Sequence, residues 1–170
     1  MRGERGFAAL MVLLLALAVG GGLAAALPRA LSWYHAALVR HEAECLVSDL
    51  RELQQLSRLA ARPFGEEASR YGVSLMRPEL RADGLHGRYE IHGLKEQIDG
   101  AAGVPQLGRL KVHELARGVR LDANRAPFRF GVNGSTKTAG TFLLSHEAEP
   151  GKITRVVVDT VGRIRVEVGR

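Results

Sequence analysis

The stretch FAALMVLLLALAVGGGLAAAL, residues 7–27, contains no charged side chain, although charged residues make up 25% of the 170-residue chain. As an α-helix it would extend about 31 Å at about 1.5 Å per residue, close to the thickness of a bilayer's hydrocarbon core. Arg2 and Arg5 precede the stretch, and Arg29 follows it. Residues 7–27 therefore predict a membrane-spanning helix.

Three kinds of N-terminal segment share this pattern. A secretory signal peptide would be removed after the small residues at 24–26, so that the mature chain would begin at Leu27. A single-pass anchor would remain uncleaved. The third kind has a short polar leader that ends in glycine, here Gly6, and is cut immediately before Phe7. Helical periodicity that continues to about Arg62 favours a long helix of which the apolar stretch is the first half.

Composition excludes several other classes of protein. Lys and Arg total 24 against 18 Asp and Glu, and the carboxylates alternate with basic residues, which predicts a solvated charged surface. The single cysteine, Cys45, excludes an intrachain disulfide and a cysteine zinc cage, and we interpret it as a partly buried small apolar residue. Aromatic residues form only 5% of the chain, too few for a platform that stacks single-stranded nucleic acid.

The second half of the predicted helix is amphipathic. Its apolar stripe consists of Val39, Ala43, Leu46, Leu50, Leu53 and, after a gap at Ser57, Ala60. Steps of four and three residues place these side chains on one face, which a sheet or another helix must cover. Pro63 and Gly65 then predict the end of the helix near Arg62.

After Pro63 the period changes from 3.6 to 2, which predicts β-strands. The expected strands are 71–76, 88–92, 119–121, 128–131, 141–144, 153–158 and 163–168, with turns at 133–134, 149–151 and 159–162. Because glycine recurs between residues 77 and 110, we expect a loop-rich insertion there with one short strand near Tyr89. The predicted class is α+β: a long N-terminal helix on a mostly antiparallel sheet.

The N-terminal residues resemble those of type IV prepilins and type II secretion pseudopilins. MRGERG at 1–6 is similar to their short basic leader, and Phe7 to the first mature residue. Gly20 and Pro28 follow Phe7 at the spacing that is common in that family. The segments 48–57, 128–134, 140–144 and 155–166 resemble the GspH/FimT group of minor pseudopilins. Met11 departs from the pattern, because the family usually has Glu there.

The resemblance implies a structural protein of the bacterial cytoplasmic membrane that makes a single pass and has its soluble domain outside the cytoplasm. A prepilin peptidase would cut after Gly6, Phe7 would be N-methylated, and an inner-membrane platform would assemble the subunit with other pilins. Membrane lipid would surround the helix before assembly, and Gly20 and Pro28 would serve helix packing. Met11 implies a minor subunit near a filament tip.

The same resemblance divides the chain into four segments. They are a leader at 1–6, a membrane and filament-core helix at 7–28, the soluble half of the helix at 29–62 and a β-rich domain at 63–170. The host filament would be a type IV pilus or a type II secretion pseudopilus.

No catalytic motif is present, so neither an enzyme nor a cofactor is expected. His86 and His92 lie near each other, but no third ligand at a familiar spacing predicts a metal site. Gly162-Arg163-Ile164-Arg165 resembles an element of pilins that take up DNA in competence, so Arg163 and Arg165 are predicted contacts for the phosphates of double-stranded DNA. The alternative is an ordinary hairpin exit with two solvated arginines.

Overall fold

The computed structural model describes residues 2–59, 78–84, 87–95 and 106–169. The chain divides into two compact units, residues 1–37 and residues 38–170. One helix, α1 at Arg2–Leu59, begins in the first unit and ends in the second. The strands are β1 (Glu79–Asp83), β2 (Arg88–Lys95), β3 (Gln106–Glu114), β4 (Val119–Ala123), β5 (Phe128–Arg129), β6 (Gly140–His146), β7 (Glu149–Val158) and β8 (Ile164–Val168).

In the first unit, α1 is apolar and exposed over the residues that the sequence predicts to cross a membrane. Its leucines and valines from Leu10 to Leu27 are all exposed. In the described part of the chain this is the one helix long and apolar enough to cross a membrane. An 18-residue window in it has a mean hydropathy of 2.5, and none of that window is buried.

In the second unit, the stripe on α1 is confirmed as the side that faces the sheets. Val39, Ala43, Leu46, Leu50 and Leu53 are all buried. Ser57 continues the stripe as a buried polar residue. Its burial is tolerated because the hydroxyl has a hydrogen-bond partner: Oγ donates to the Leu53 carbonyl at 2.9 Å. Ala60, the predicted helix end at Arg62 and the predicted strand 71–76 lie outside the described residues.

The strands form two antiparallel sheets of four, and together with α1 they confirm the α+β class. The order in the first sheet is β3-β2-β1-β5, and the order in the second is β4-β6-β7-β8. The sheets and the helix share one core, in which Phe128 makes edge contacts with Phe130 and Phe142 at ring-centre distances of 5.2 and 5.4 Å. This antiparallel arrangement places the β7–β8 turn and the β2–β3 ladder against α1.

The short strand expected near Tyr89 is confirmed as β2, but the loop-rich insertion expected around it at 77–110 is wrong for the described residues, because β1 and most of β3 also fall inside it. Two of its glycines pair with each other in the ladder instead of interrupting it, because Gly93 lies directly opposite Gly108. A Cβ on Gly93 would come within 2.3 Å of Leu110 Cδ1, so glycine at 93 makes room for that leucine. Glycine here reflects close packing, whereas the sequence pattern suggested loops.

The turn expected at 149–151 is also wrong, because β7 already begins at Glu149. The chain reverses two residues earlier, where Glu147 N donates to the Gly118 carbonyl at 2.7 Å and Ala148 N donates to His146 Nδ1 at 3.1 Å. Pro150 is tolerated near the start of the strand, next to an irregularity in the register at Ser145 and His146. The turns at 133–134 and 159–162 are confirmed by their hydrogen bonds.

Replacing Leu50 by alanine is expected to destabilise the second unit by about 2–5 kcal/mol, because it leaves a cavity beneath the sheets. Leu59→Ala is the matched control, since Leu59 lies on the same helix and is exposed. Thermal unfolding of the full chain in detergent micelles, followed by near-ultraviolet circular dichroism, measures both. Equal melting temperatures for the two variants would show that the stripe is not the packed face.

Candidate functional sites

The predicted processing and packing residues all lie on α1. Gly6, Phe7, Gly20 and Pro28 fall within the helix, which continues through the proline. A Cβ on Gly20, or on either glycine after it, would meet nothing within 4 Å. Nothing in the described chain therefore requires glycine there.

The two predicted DNA contacts lie on the β7–β8 hairpin, where both are exposed. Arg163 ends the turn and precedes β8, whereas Arg165 lies within β8 opposite Val157. Arg163 binds Asp159: its backbone N and its Nε each donate to the carboxylate at 2.8 Å. Partial burial raises the pKa of Asp159, but these bonds outweigh it and hold the pKa below its ordinary value.

The outer face of this hairpin is a mixture of charges with a small basic excess. Arg155 stands beside Arg165 on the neighbouring strand and lies directly opposite Glu167. Three arginines therefore share the face with two carboxylates, Glu167 and Asp159. Lys152, near the start of β7, is paired with Glu149 at 2.7 Å. The structure thus places Arg163 and Arg165 on one face of the hairpin, where nearby carboxylates neutralise part of their positive charge.

A clasp formed by Gln54 fixes this hairpin to α1. The Gln54 side-chain amide donates to the carbonyls of Gly134 at 2.7 Å and Gly162 at 2.9 Å, and so joins two turns to the helix. Gly162 has a φ of +85°, and a Cβ there would lie 2.0 Å from the Gly134 carbonyl oxygen. Sequence reasoning missed Gln54, because it lies on the polar side of the helical pattern.

A second polar cluster is buried between α1 and the strands β2 and β3. Asp49 accepts hydrogen bonds from the Tyr89 hydroxyl at 2.8 Å and from Lys111 Nζ at 2.6 Å. Burial, and then the negative charge of Asp49, raise the pKa of Tyr89, so its hydroxyl stays protonated and donates. The hydrogen bond to Asp49 likewise raises the pKa of Lys111.

Glu42 extends this cluster by two helical turns. Its Oε2 lies 2.7 Å from His113 Nε2, and its Oε1 accepts the Ala116 N–H at 3.0 Å. The His113 ring stacks on Tyr89 with ring centres 4.9 Å apart. Asp49 and Glu42 are both buried, so the expectation that the carboxylates are all solvated is wrong for them. Their partners lie far away in sequence, so the local charge pattern gave no signal.

The described residues offer no arrangement for metal or thiol chemistry. Among them, no three His, Cys, Asp or Glu side chains lie close enough to hold a metal ion. His92 binds Glu90 at 2.9 Å, and His86 lies outside the described residues. Cys45 is half-buried as expected, and burial together with the charges of Glu42 and Asp49 raises the pKa of its thiol. A raised pKa leaves little thiolate at neutral pH.

A cleft of about 960 Å³ opens beside β5. Its described lining comes from residues 125–138 and includes Arg125, Arg129 and Lys137, but no carboxylate, histidine or cysteine. Arg125 donates to Thr138 Oγ1 at 2.6 Å. General acid–base or nucleophilic catalysis needs a base beside the reacting group, and the described lining supplies none.

The structure of the minor pseudopilin EpsH from the type 2 secretion system of Vibrio cholerae matches this arrangement. It aligns over 76% of this chain and 96% of its own, with a TM-score of 0.50 and 16% identity. The fold is that of a minor pseudopilin. Two crystal forms of the Pseudomonas aeruginosa type IV minor pilin FimU align over 72% and 76% of this chain and 96% of their own, at 18% and 19% identity and TM-scores of 0.39 and 0.38. No protein-family model and no curated protein sequence matches the chain.

One further carboxylate is wholly buried in this pseudopilin fold. Glu79, at the start of β1, is 0% exposed and binds Arg129 on one oxygen and Arg81 on the other, with Nε donors at 2.6 and 2.5 Å. Burial alone raises the pKa of Glu79, but the two guanidinium groups outweigh it, and the pKa lies below its usual value. Glu79 is a third carboxylate that contradicts the expectation of a fully solvated charged surface.

Gly162→Ala is expected to destabilise the pseudopilin fold by about 3 kcal/mol, since a side chain there is strained at positive φ and strikes the Gly134 carbonyl. Gly151→Ala is the control, because a Cβ at 151 meets nothing within 4 Å. Chemical denaturation of both full-length variants in micelles measures the difference. If both lose the same stability, Gly162 does not approach the Gly134 carbonyl as closely as the structure shows.

The lowered pKa of Glu79 predicts a dependence of stability on acid. A carboxylate whose pKa is depressed by folding contributes stability that is complete above its unfolded pKa of about 4.3 and is lost as pH falls through the folded pKa. Glu79→Gln should therefore lower the melting temperature at neutral pH and flatten its fall below about pH 4. Glu147→Gln, which removes an exposed partner of Arg120, should change neither. An unchanged acid limb in Glu79→Gln would contradict this assignment.

Proposed function

We propose that this protein is a structural minor pilin or pseudopilin. It is made as a membrane precursor, cut between Gly6 and Phe7, N-methylated on Phe7 and assembled with other pilins into a filament of the type IV pilus or type II secretion kind. The observation that carries the proposal is a pseudopilin fold whose long helix begins as an apolar segment that is not buried against the rest of the described chain. An enzymatic role has no support in the described clusters.

The exposed leucines explain why the apolar segment must be covered both before and after assembly. Complete burial of a leucine side chain is worth roughly 1.5–3 kcal/mol relative to full exposure, and the leucines from Leu10 to Leu27 are all more than half exposed. A bilayer covers this surface in the precursor. Packing against the same segment of neighbouring subunits covers it in a filament, where Gly20 and the two glycines after it allow close approach.

Met11 supports a minor position in the filament. In the family that the sequence resembles, Glu at this place is thought to pair with the charged N-terminal amine of a neighbour inside the apolar filament core. Burial of an unpaired charged amine is strongly unfavourable. A subunit with Met11 has no carboxylate at this place to pair with a neighbour's amine, so it is unsuited to the repeated positions along a filament. A subunit at the tip has no such neighbour to satisfy.

Gly6→Leu is expected to leave an uncut precursor in the membrane, because the bulky side chain blocks the peptidase at the cleavage site. Gly3→Leu, in the same leader, is the matched control and should be processed normally. Immunoblot mobility and N-terminal sequencing of the membrane fraction report both. A mature chain that begins at Leu27 would establish signal-peptide cleavage and a secreted protein, and an intact Met1 in the parent would establish a plain anchor.

A second candidate function, double-stranded DNA binding in uptake, is supported by the exposed pair Arg163 and Arg165 on a hairpin that the Gln54 clasp fixes. Phosphate contacts by two arginines are weak in one subunit, and repetition along a filament would strengthen them. The ion pair with Asp159 and the proximity of Glu167 reduce the local positive charge.

Arg163→Ala combined with Arg165→Ala is expected to weaken binding equally for unrelated duplex sequences and to reduce the slope of log K against log salt by about 1.8, for two lost phosphate contacts. Arg117→Ala combined with Arg120→Ala is the control, since these arginines are also exposed. Titration of the full chain in uncharged micelles with labelled duplex at several salt concentrations measures both. Equal binding by the two double variants would leave Arg163 and Arg165 as solubilising residues.

A further inference from the structure

Two aromatic side chains just beyond the apolar segment are exposed. Trp33 is 76% exposed and Tyr34 is 55% exposed. The other aromatic side chains that the structure describes are buried in the core: Tyr89, Phe128, Phe130 and Phe142. Large aromatic surfaces in water are unfavourable, and a ring with a polar N–H or O–H is suited to a boundary between apolar and aqueous surroundings.

Their position along α1 matches such a boundary. Trp33 and Tyr34 follow Pro28, where the proposed span ends, by about 8–9 Å along the helix axis. The headgroup layer of a bilayer adds about 5–8 Å on each side of the hydrocarbon core. With the helix tilt of about 20° that is usual in membranes, the two positions lie about 7–8 Å from the hydrocarbon edge, in the outer part of that layer, where tryptophan and tyrosine are enriched in membrane proteins.

The part of the helix around these rings carries positive charge, which favours anionic lipid. No Asp or Glu occurs between Leu27 and Glu42, whereas Arg29 and Arg40 both fall in that interval. Arg40 pairs with Glu44 at 3.1 Å. Arg29 is four residues before Trp33 and therefore on the same face of the helix, one turn deeper. A long arginine side chain at that depth can extend its guanidinium to the phosphate level.

We propose that Trp33, Tyr34 and Arg29 form a lipid-headgroup site. The two rings lie in the headgroup layer, and the guanidinium binds the phosphate of an anionic phospholipid. The site sets the depth of α1 in the membrane before assembly. It rests on the proposed membrane span of residues 7–28.

Trp33 is the only tryptophan in the chain, so its fluorescence reports on this site alone. The full chain is placed in phospholipid vesicles whose acyl chains are brominated either near the carbonyl or near the methyl end. Emission from Trp33 is expected to be quenched more strongly by the shallow bromine. The control is Trp33→Phe combined with Leu17→Trp, which should be quenched more strongly by the deep bromine.

The control separates the two proposals. If the tryptophan at 17 is quenched by the deep bromine and Trp33 by neither, the headgroup site is wrong and the span is supported. If neither tryptophan is quenched, the span itself is wrong. Trp33 emission that is shifted to the blue without bromine quenching would indicate a protein contact, such as a second copy of the chain, and would also overturn the site.

Arg29→Gln tests the choice of lipid. In the parent, replacing phosphatidylcholine by phosphatidylglycerol is expected to reduce the quenching of Trp33 by aqueous acrylamide, because anionic phosphate holds the segment in the layer. Arg29→Gln should lose that difference, whereas Arg51→Gln, exposed on the second unit, should keep it. If the difference in acrylamide quenching between the two lipids is as large in Arg29→Gln as in the parent, the guanidinium does not bind the lipid phosphate.

Discussion

Burial of one helical stripe against two sheets holds the second unit of this protein together. The buried residues of both sheets form one core with the 38–59 part of α1, so the inner faces of both sheets pack against that part of the helix. Leu46 and Leu50 occupy the centre of that contact and are fully buried. Loss of the contact would expose both inner faces at once, which makes the stripe the constraint on which the hairpin, the clasp and the charged clusters depend.

The polar groups near this contact restrict how the helix and the sheets fit. Asp49 and Glu42 each have partners on strands 40 or more residues away, and Gln54 joins turns 80 and 108 residues away. Buried ion pairs add little net stability compared with apolar packing, but leaving one partner unpaired is costly. Any slip of the helix along the sheets would separate all of these pairs together, so they favour a single arrangement.

Local patterns predicted those parts of the structure that local physics determines. The stripe was predicted because Val39 to Leu53 repeat at helical spacing, and the turn at Gly162 because a tight reversal needs a permissive backbone. The strand β3 was missed because Gly108 looks like a loop residue until its cross-strand packing opposite Gly93 is known. The Gln54 clasp and the buried carboxylates could not be predicted, since their partners are set by tertiary contacts.

If neighbouring subunits cover the apolar segment of α1 in a filament, as we propose, this chain must occur in purified filaments. Quantitative mass spectrometry of purified filaments, with isotope-labelled peptides of this chain and of the most abundant subunit as standards, tests it most directly. We expect this chain in the filaments at a small fraction of the most abundant subunit. Its absence from the filaments, or its presence as the major subunit, would overturn the proposed role as a minor subunit.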